Sequence, residues 1–64
     1  YGQSKADFVS KMHIALKETA ETEYWLKLFA KTNIISEQVY NKLINDSGKI
    51  RRILISSINT AKSS

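Results

Sequence analysis

The chain offers a single place to turn. Two long stretches, in which apolar side chains recur at steps of three and four, flank the short segment Lys31-Thr-Asn-Ile-Ile-Ser36, and the 64 residues contain no proline and only two glycines. That spacing is the signature of amphipathic helix. Asn33 tolerates the left-handed conformation that ends a helix, and Ile34 after it is expected to fold back on the last turn. Ser36 is a good N-cap, Glu37 suits a first turn, and Ile35 ahead of the cap can staple onto Tyr40. A connection this short joins antiparallel neighbours. The expectation is an all-α chain, one helical domain over residues 1–64, with a helix over about 4–32, a turn at 33–35 and a helix over about 36–61.

In the first helix, Tyr1 to Gln3 read as a lead-in. Ser4 is the better N-cap, because Asp7 then falls in the first turn, where a negative charge meets the positive end of the helix dipole. Phe8, Met12, Ala15, Thr19, Leu26 and Phe29 form one stripe, with Leu16, Thr22 and Ala30 at its edges. Small residues in its middle (Ala15, Thr19, Ala20, Thr22) permit a close helix crossing near Thr19. Ile14, Trp25 and Leu28 fall on another side and call for a second neighbour. Glu23 lies at the margin of the stripe, between Leu16 and Leu26, and is expected to pair with Lys27 one turn on or with a cation from another helix.

In the second helix, Val39, Tyr40, Leu43, Ser47, Ile50, Leu54, Ser57, Ile58 and Ala61 form a sustained seam, while Ile44, Ile53 and Ile55 lie off it. Asp46-Ser-Gly-Lys49 would elsewhere be a turn, and Gly48 costs about 1 kcal/mol relative to Ala inside a helix. The seam keeps its phase through Ser47 into Ile50 and Leu54, so the helix is expected to continue and to fray only in the Ser-rich end after Ala61.

Two such helices, each about 40 Å long, expose a long apolar groove as a lone hairpin. A chain of this length buries only about 60% of the surface its unfolded form exposes. Cysteine is absent and there is one histidine, so disulfide and metal reinforcement are closed off and self-association is left. Glu18, Glu21 and Glu23 are the only carboxylate cluster, but Glu23 points away from the other two, and the Glu-x-x-His spacing of di-metal bundles is absent. No catalytic residue, metal, cofactor or small-molecule substrate is expected. No apolar run reaches the roughly 20 residues of a membrane span, and no signal-peptide core is present at the start. The expected location is cytoplasmic, away from membranes. The first residue is Tyr1, not Met, which points to a piece of something longer.

The net charge of +4 is unevenly placed: after Ser47 come Lys49, Arg51, Arg52 and Lys62 with no acid. One reading is a solvated helix face whose cations favour the negative end of the dipole. The other is a phosphate-facing surface, with Arg51 and Arg52 supplying forked donors. No stacking platform accompanies these cations, so any nucleic-acid contact would be backbone-directed and salt-sensitive.

Gln3-Ser-Lys-Ala-Asp-Phe8, Ile14-Ala-Leu-Lys-Glu18, Glu21-Thr-Glu-Tyr-Trp-Leu26 and Ile53-Leu-Ile-Ser-Ser-Ile58 resemble the C-terminal half of the small four helix bundle protein family, which includes proteins encoded by intervening sequences of bacterial large-subunit ribosomal RNA genes. The resemblance runs over nearly the whole chain, and Glu21 to Leu26 is its most specific part. It implies an antiparallel hairpin forming part of an up-down four-helix bundle, with a first helix and much of a second preceding Tyr1. Relatives that include the accessory variability protein of diversity-generating retroelements form ring-like pentamers, and that relative engages RNA through a basic surface beside a reverse transcriptase. Asn33 stands where many relatives have Gly, and the polar stretch at 45–48 replaces a more helix-favouring one.

Two function classes follow. The first is a non-enzymatic, self-associating bundle that binds RNA or a ribonucleoprotein through Lys49, Arg51, Arg52 and Lys62, with Ile14, Trp25, Leu28, Ile53 and Ile55 as candidate oligomer or partner contacts; the resemblance favours a homopentamer. The second is a purely structural module, in which Trp25 and Leu28 dock a protein and no nucleic acid takes part.

Overall fold

The computed structural model describes residues 4–63. They form two α-helices, α1 (Lys5–Lys31) and α2 (Glu37–Ser63), packed antiparallel as a hairpin of 45 × 16 × 15 Å. The expected lead-in at Tyr1 to Gln3 lies outside the described residues, as does Ser64.

Each boundary has a local cause. Ser4 is extended (φ −74°, ψ 165°), and its Oγ accepts from the Asp7 N–H at 3.1 Å, which satisfies one of the unpaired donors at the start of α1. At the other end the Thr32 N–H donates to Leu28 O, the Asn33 N–H to Ala30 O and the Ile34 N–H to Phe29 O at 2.9 Å. Asn33 takes the left-handed conformation (φ 62°) that this closure requires. The fold-back expected of Ile34 is made by its backbone alone, for its side chain is left 67% exposed. Ile35 is half-buried instead and lines a depression with Ala30 and Tyr40, the residue it was expected to staple. Ser36 Oγ accepts from the Val39 N–H at 3.1 Å and starts α2.

Helix α2 runs without a break through Asp46–Lys49 and continues two residues past the expected end at 61. Ser47 and Gly48 are two of the three buried residues of α2, the third being Ile58. Ser47 meets α1, and Gly48 lies beneath the Arg51 and Arg52 side chains of its own helix.

The contact between the helices is narrower than the apolar arc of either. On α1 the half-buried residues include Val9, Met12, Leu16, Thr19, Glu23, Leu26 and Ala30; on α2 the buried or half-buried ones include Tyr40, Ile44, Ser47, Arg51, Leu54, Ile58 and Ala61. Both sets step by three and four, as in the seam of a coiled coil. Three expectations are corrected by this. Glu23 lies in the seam and not at its margin. Ile44 belongs to the seam, whereas Val39, Leu43 and Ile50 are exposed; Val9 is more buried than Phe8, which is also exposed. One neighbour covers one edge of a wide stripe, and the hairpin uses the edge at which Glu23 meets α2.

Candidate functional site

Glu23 is the polar centre of the hairpin. Its Oε2 accepts from Ser47 Oγ at 2.9 Å and from Arg51 Nε at 3.3 Å, both on α2. Of the two expected partners, the cation from another helix is the one found. The carboxylate is 22% exposed and the Arg51 side chain 43%, so the pair is partly desolvated and satisfied within the seam. Ser47 is 7% exposed, and this contact satisfies its hydroxyl.

This contact divides the basic residues that follow Ser47. Arg51 spends its Nε on Glu23, while Lys49, Arg52 and Lys62 have no carboxylate partner among the described residues. Lys49 and Arg52 line one shallow surface depression with Ile53, Ser56 and Ser57, and Lys62 stands in the last turn of α2. The two guanidinium groups lie near Gly48: a Cβ placed there would make ordinary contact with Arg52 Nη1 at 3.5 Å and Arg51 Nη2 at 3.6 Å. The four cations therefore split into an outward pair, Lys49 and Arg52, a seam-bound Arg51 and a distal Lys62.

Most of the exposed apolar residues lie on one side of the seam. A groove on one side of the seam is lined by Thr19, Thr22 and Leu26 of α1 and by Leu43, Asp46, Ser47 and Ile50 of α2. At 100° per residue, Val39 and Ile53 extend this side along α2, and Phe8, Phe29 and Trp25 extend it along α1. Thr19 and Thr22 donate their hydroxyls to Ala15 O and Glu18 O, at 2.9 and 3.0 Å, so they contribute methyl groups to the surface. Trp25 packs tilted against Phe29 (centroids 6.2 Å apart) and edge-on to Tyr24 (5.5 Å). Of the five candidate contact residues, Ile14, Trp25 and Ile53 border this face. Leu28 is turned to the back of α1, and Ile55 lies across the seam.

A family model described as 23S rRNA-intervening sequence protein matches residues 1–56. The chain belongs to this family. No curated protein and no solved structure matches the chain.

The 23S rRNA-intervening sequence proteins are small and helical and are not a known enzyme family. In this member, no group of His, Asp and Glu side chains able to hold a metal is present among the described residues, and no helix there is long and apolar enough to cross a membrane. The sequence singled out Glu23 and its cation but not Ser47, because it set Glu23 at the margin of the stripe and looked only for an opposite charge. The signal available was the unbroken heptad spacing of Val9 to Ala30, which includes Glu23, facing that of Tyr40 to Ala61, which includes Ser47 and Arg51.

Proposed function

We propose that this chain is a non-enzymatic, cytoplasmic protein that self-associates as part of an up-down helical bundle and binds RNA or a ribonucleoprotein through the basic outer surface of α2. What supports the reading is the separation of two surfaces on one hairpin. An open apolar face spans both helices, and Lys49 and Arg52 project together from another side without carboxylate partners. Exposed cations unpaired within the protein are available to phosphate oxygens, and copies held in an assembly multiply a weak, backbone-directed contact.

Titration of a fluorescent single-stranded RNA over a series of salt concentrations tests it. The expected result is an affinity that falls steeply with salt and is lost in a Lys49→Glu, Arg52→Glu variant whose helicity is unchanged. RNA affinity indifferent to salt or to both substitutions would remove this surface from consideration. The second reading, a protein-docking module, is favoured by the exposed rings of Tyr24 and Trp25, the latter packed on half-buried Phe29. It predicts no RNA affinity at any salt concentration.

A further inference from the structure

We infer that the flank of the hairpin opposite the open apolar face holds a single RNA strand across both helices, with phosphates on Lys17, Lys27 and Lys31 of α1 and on Arg51 and Arg52 of α2, and a base stacked on Tyr24. This rests on the RNA reading above and carries that surface from α2 onto α1. Covering the apolar face in a bundle leaves this flank in solvent.

The first support is the sorting of charge around α1. At 100° per residue, Lys17, Lys27 and Lys31 fall together on the side away from the apolar groove, with His13 and Tyr24 among them. Asp7 and Glu18 fall on the groove side, where Lys11 also lies, and Glu21 stands on the outer edge between the two sides. All three lysines of the flank are exposed, and none is in an ion pair among the described residues. Glu23, one turn before Lys27, is turned to Ser47 and Arg51 instead. Glu21, one turn after Lys17, and Glu37, which borders one depression with Lys27 and Lys31, pair with none of them.

The second support is the convergence of two forked donors. Arg51 keeps its Nε on Glu23 in the seam, but its Nη2 and the Nη1 of Arg52 both turn back over Gly48. Gly48 follows Ser47 and so lies about a quarter turn from the seam, on the side away from the apolar groove. Glu23 is the one carboxylate paired with either arginine among the described residues, which leaves the guanidinium ends to phosphate oxygens. Since Glu23 and Ser47 touch and both helices rise 1.5 Å per residue, the arginines stand close to the level of Lys17.

The third support is a ring among the lysines. Tyr24, Lys27, Leu28 and Lys31 line one depression, and Tyr24 is 63% exposed. Trp25 meets its ring edge-on at 77°, so at least one face of Tyr24 is open. The stacking platform that the cations of α2 lack thus stands on α1. Cations around an open ring suit a single strand, which offers phosphates and unstacked base faces together; the bases of a duplex are already stacked.

The test titrates the protein with a fluorescent oligouridylate of about twelve nucleotides, and with an RNA duplex of the same length, over a series of salt concentrations. Lys27→Gln with Lys31→Gln is expected to flatten the double-logarithmic salt slope for the single strand by about 1.4, two phosphate contacts at about 0.7 each. Lys11→Gln with Lys42→Gln removes the same charge from the apolar side and is expected to leave that slope nearly unchanged. Tyr24→Ala is expected to weaken the single strand about tenfold and the duplex hardly at all, and Tyr24→Phe, which keeps the ring, to restore the single strand. Equal flattening by the two lysine pairs would reduce the effect to net charge and overturn this inference. RNA binding that is lost in the Lys49→Glu, Arg52→Glu protein but ignores Lys27→Gln with Lys31→Gln and Tyr24→Ala would overturn it too, leaving the α2 surface standing. No RNA affinity at any salt concentration would overturn both and leave the flank to an acidic protein.

Discussion

Ser47 Oγ donates a hydrogen bond of 2.9 Å to Glu23 Oε2, joining positions 24 apart in sequence, and Arg51 Nε donates to the same oxygen from one turn further along α2. One carboxylate oxygen thus fixes the axial register of the hairpin. Sliding one helix by a turn would leave a partly buried anion and a buried hydroxyl without partners. Hydrogen bonds to charged groups contribute about 1.5–3 kcal/mol each, and partial exposure of both side chains lowers that figure. Glu23→Ala is expected to destabilise the hairpin by about 1–2 kcal/mol. Arg51→Ala is expected to cost less, and the double variant less than the sum. A double-mutant cycle in urea reads the coupling directly.

Gly48 sits in the interior of α2 with ordinary van der Waals room for a Cβ, since the nearest atoms would be the flexible ends of Arg51 and Arg52 at 3.6 and 3.5 Å. Nothing in the backbone there demands glycine, for Gly48 is helical. Gly48→Ala should therefore stabilise by about 0.5–1 kcal/mol through helix propensity and reduced freedom of the unfolded chain. Thermal unfolding followed by circular dichroism checks this. A lower Tm would mean that the arginines cannot move aside.

The two helices, their caps at Ser4 and Ser36 and the left-handed Asn33 are all legible in the sequence, because each depends on neighbours within four residues. The choice of seam is not. Val39, Leu43 and Ile50 fit helical spacing as well as Tyr40 and Ser47 do, so the expected seam took in both edges of the arc and left out Ile44 and Arg51. What separates the two edges is a relation between helices: burying the one with Ile44 brings Arg51 as well as Ser47 to Glu23. The same relation removes Arg51 from the outward basic group while leaving Lys49 and Arg52 in it. A periodicity read along one helix carries no information on which edge of a wide apolar arc meets its neighbour.

The turn provides a test of backbone chemistry. Asn33 at φ 62° adopts a conformation costly for residues with a Cβ and easy for glycine. Asn33→Ala is expected to cost about 1 kcal/mol, and Asn33→Gly to be neutral or slightly stabilising. Ser36→Ala should cost about 1 kcal/mol by leaving the Val39 N–H without its side-chain acceptor. Chemical denaturation of the three variants side by side separates the turn from the cap.

Ile50 and Ile55 are five residues apart on α2 and similarly apolar, yet they lie on opposite sides of the seam, Ile50 in the groove with Thr22 and Leu43 and Ile55 beyond it. Both are substantially exposed in the single hairpin, so Asp at either position should leave its helicity and monomer stability nearly unchanged. In a face-to-face assembly the two diverge. Full burial of an isoleucine is worth about 1.5–3 kcal/mol, and an assembly of identical copies repeats each substitution at every interface. Ile50→Asp is expected to weaken association by at least a hundredfold, whereas Ile55→Asp leaves it within about threefold of the parent. Sedimentation equilibrium of both variants is the measurement. Equal loss from the two would mean that the assembled form surrounds α2 on all sides, and loss from Ile55→Asp alone would move the interface to the opposite flank.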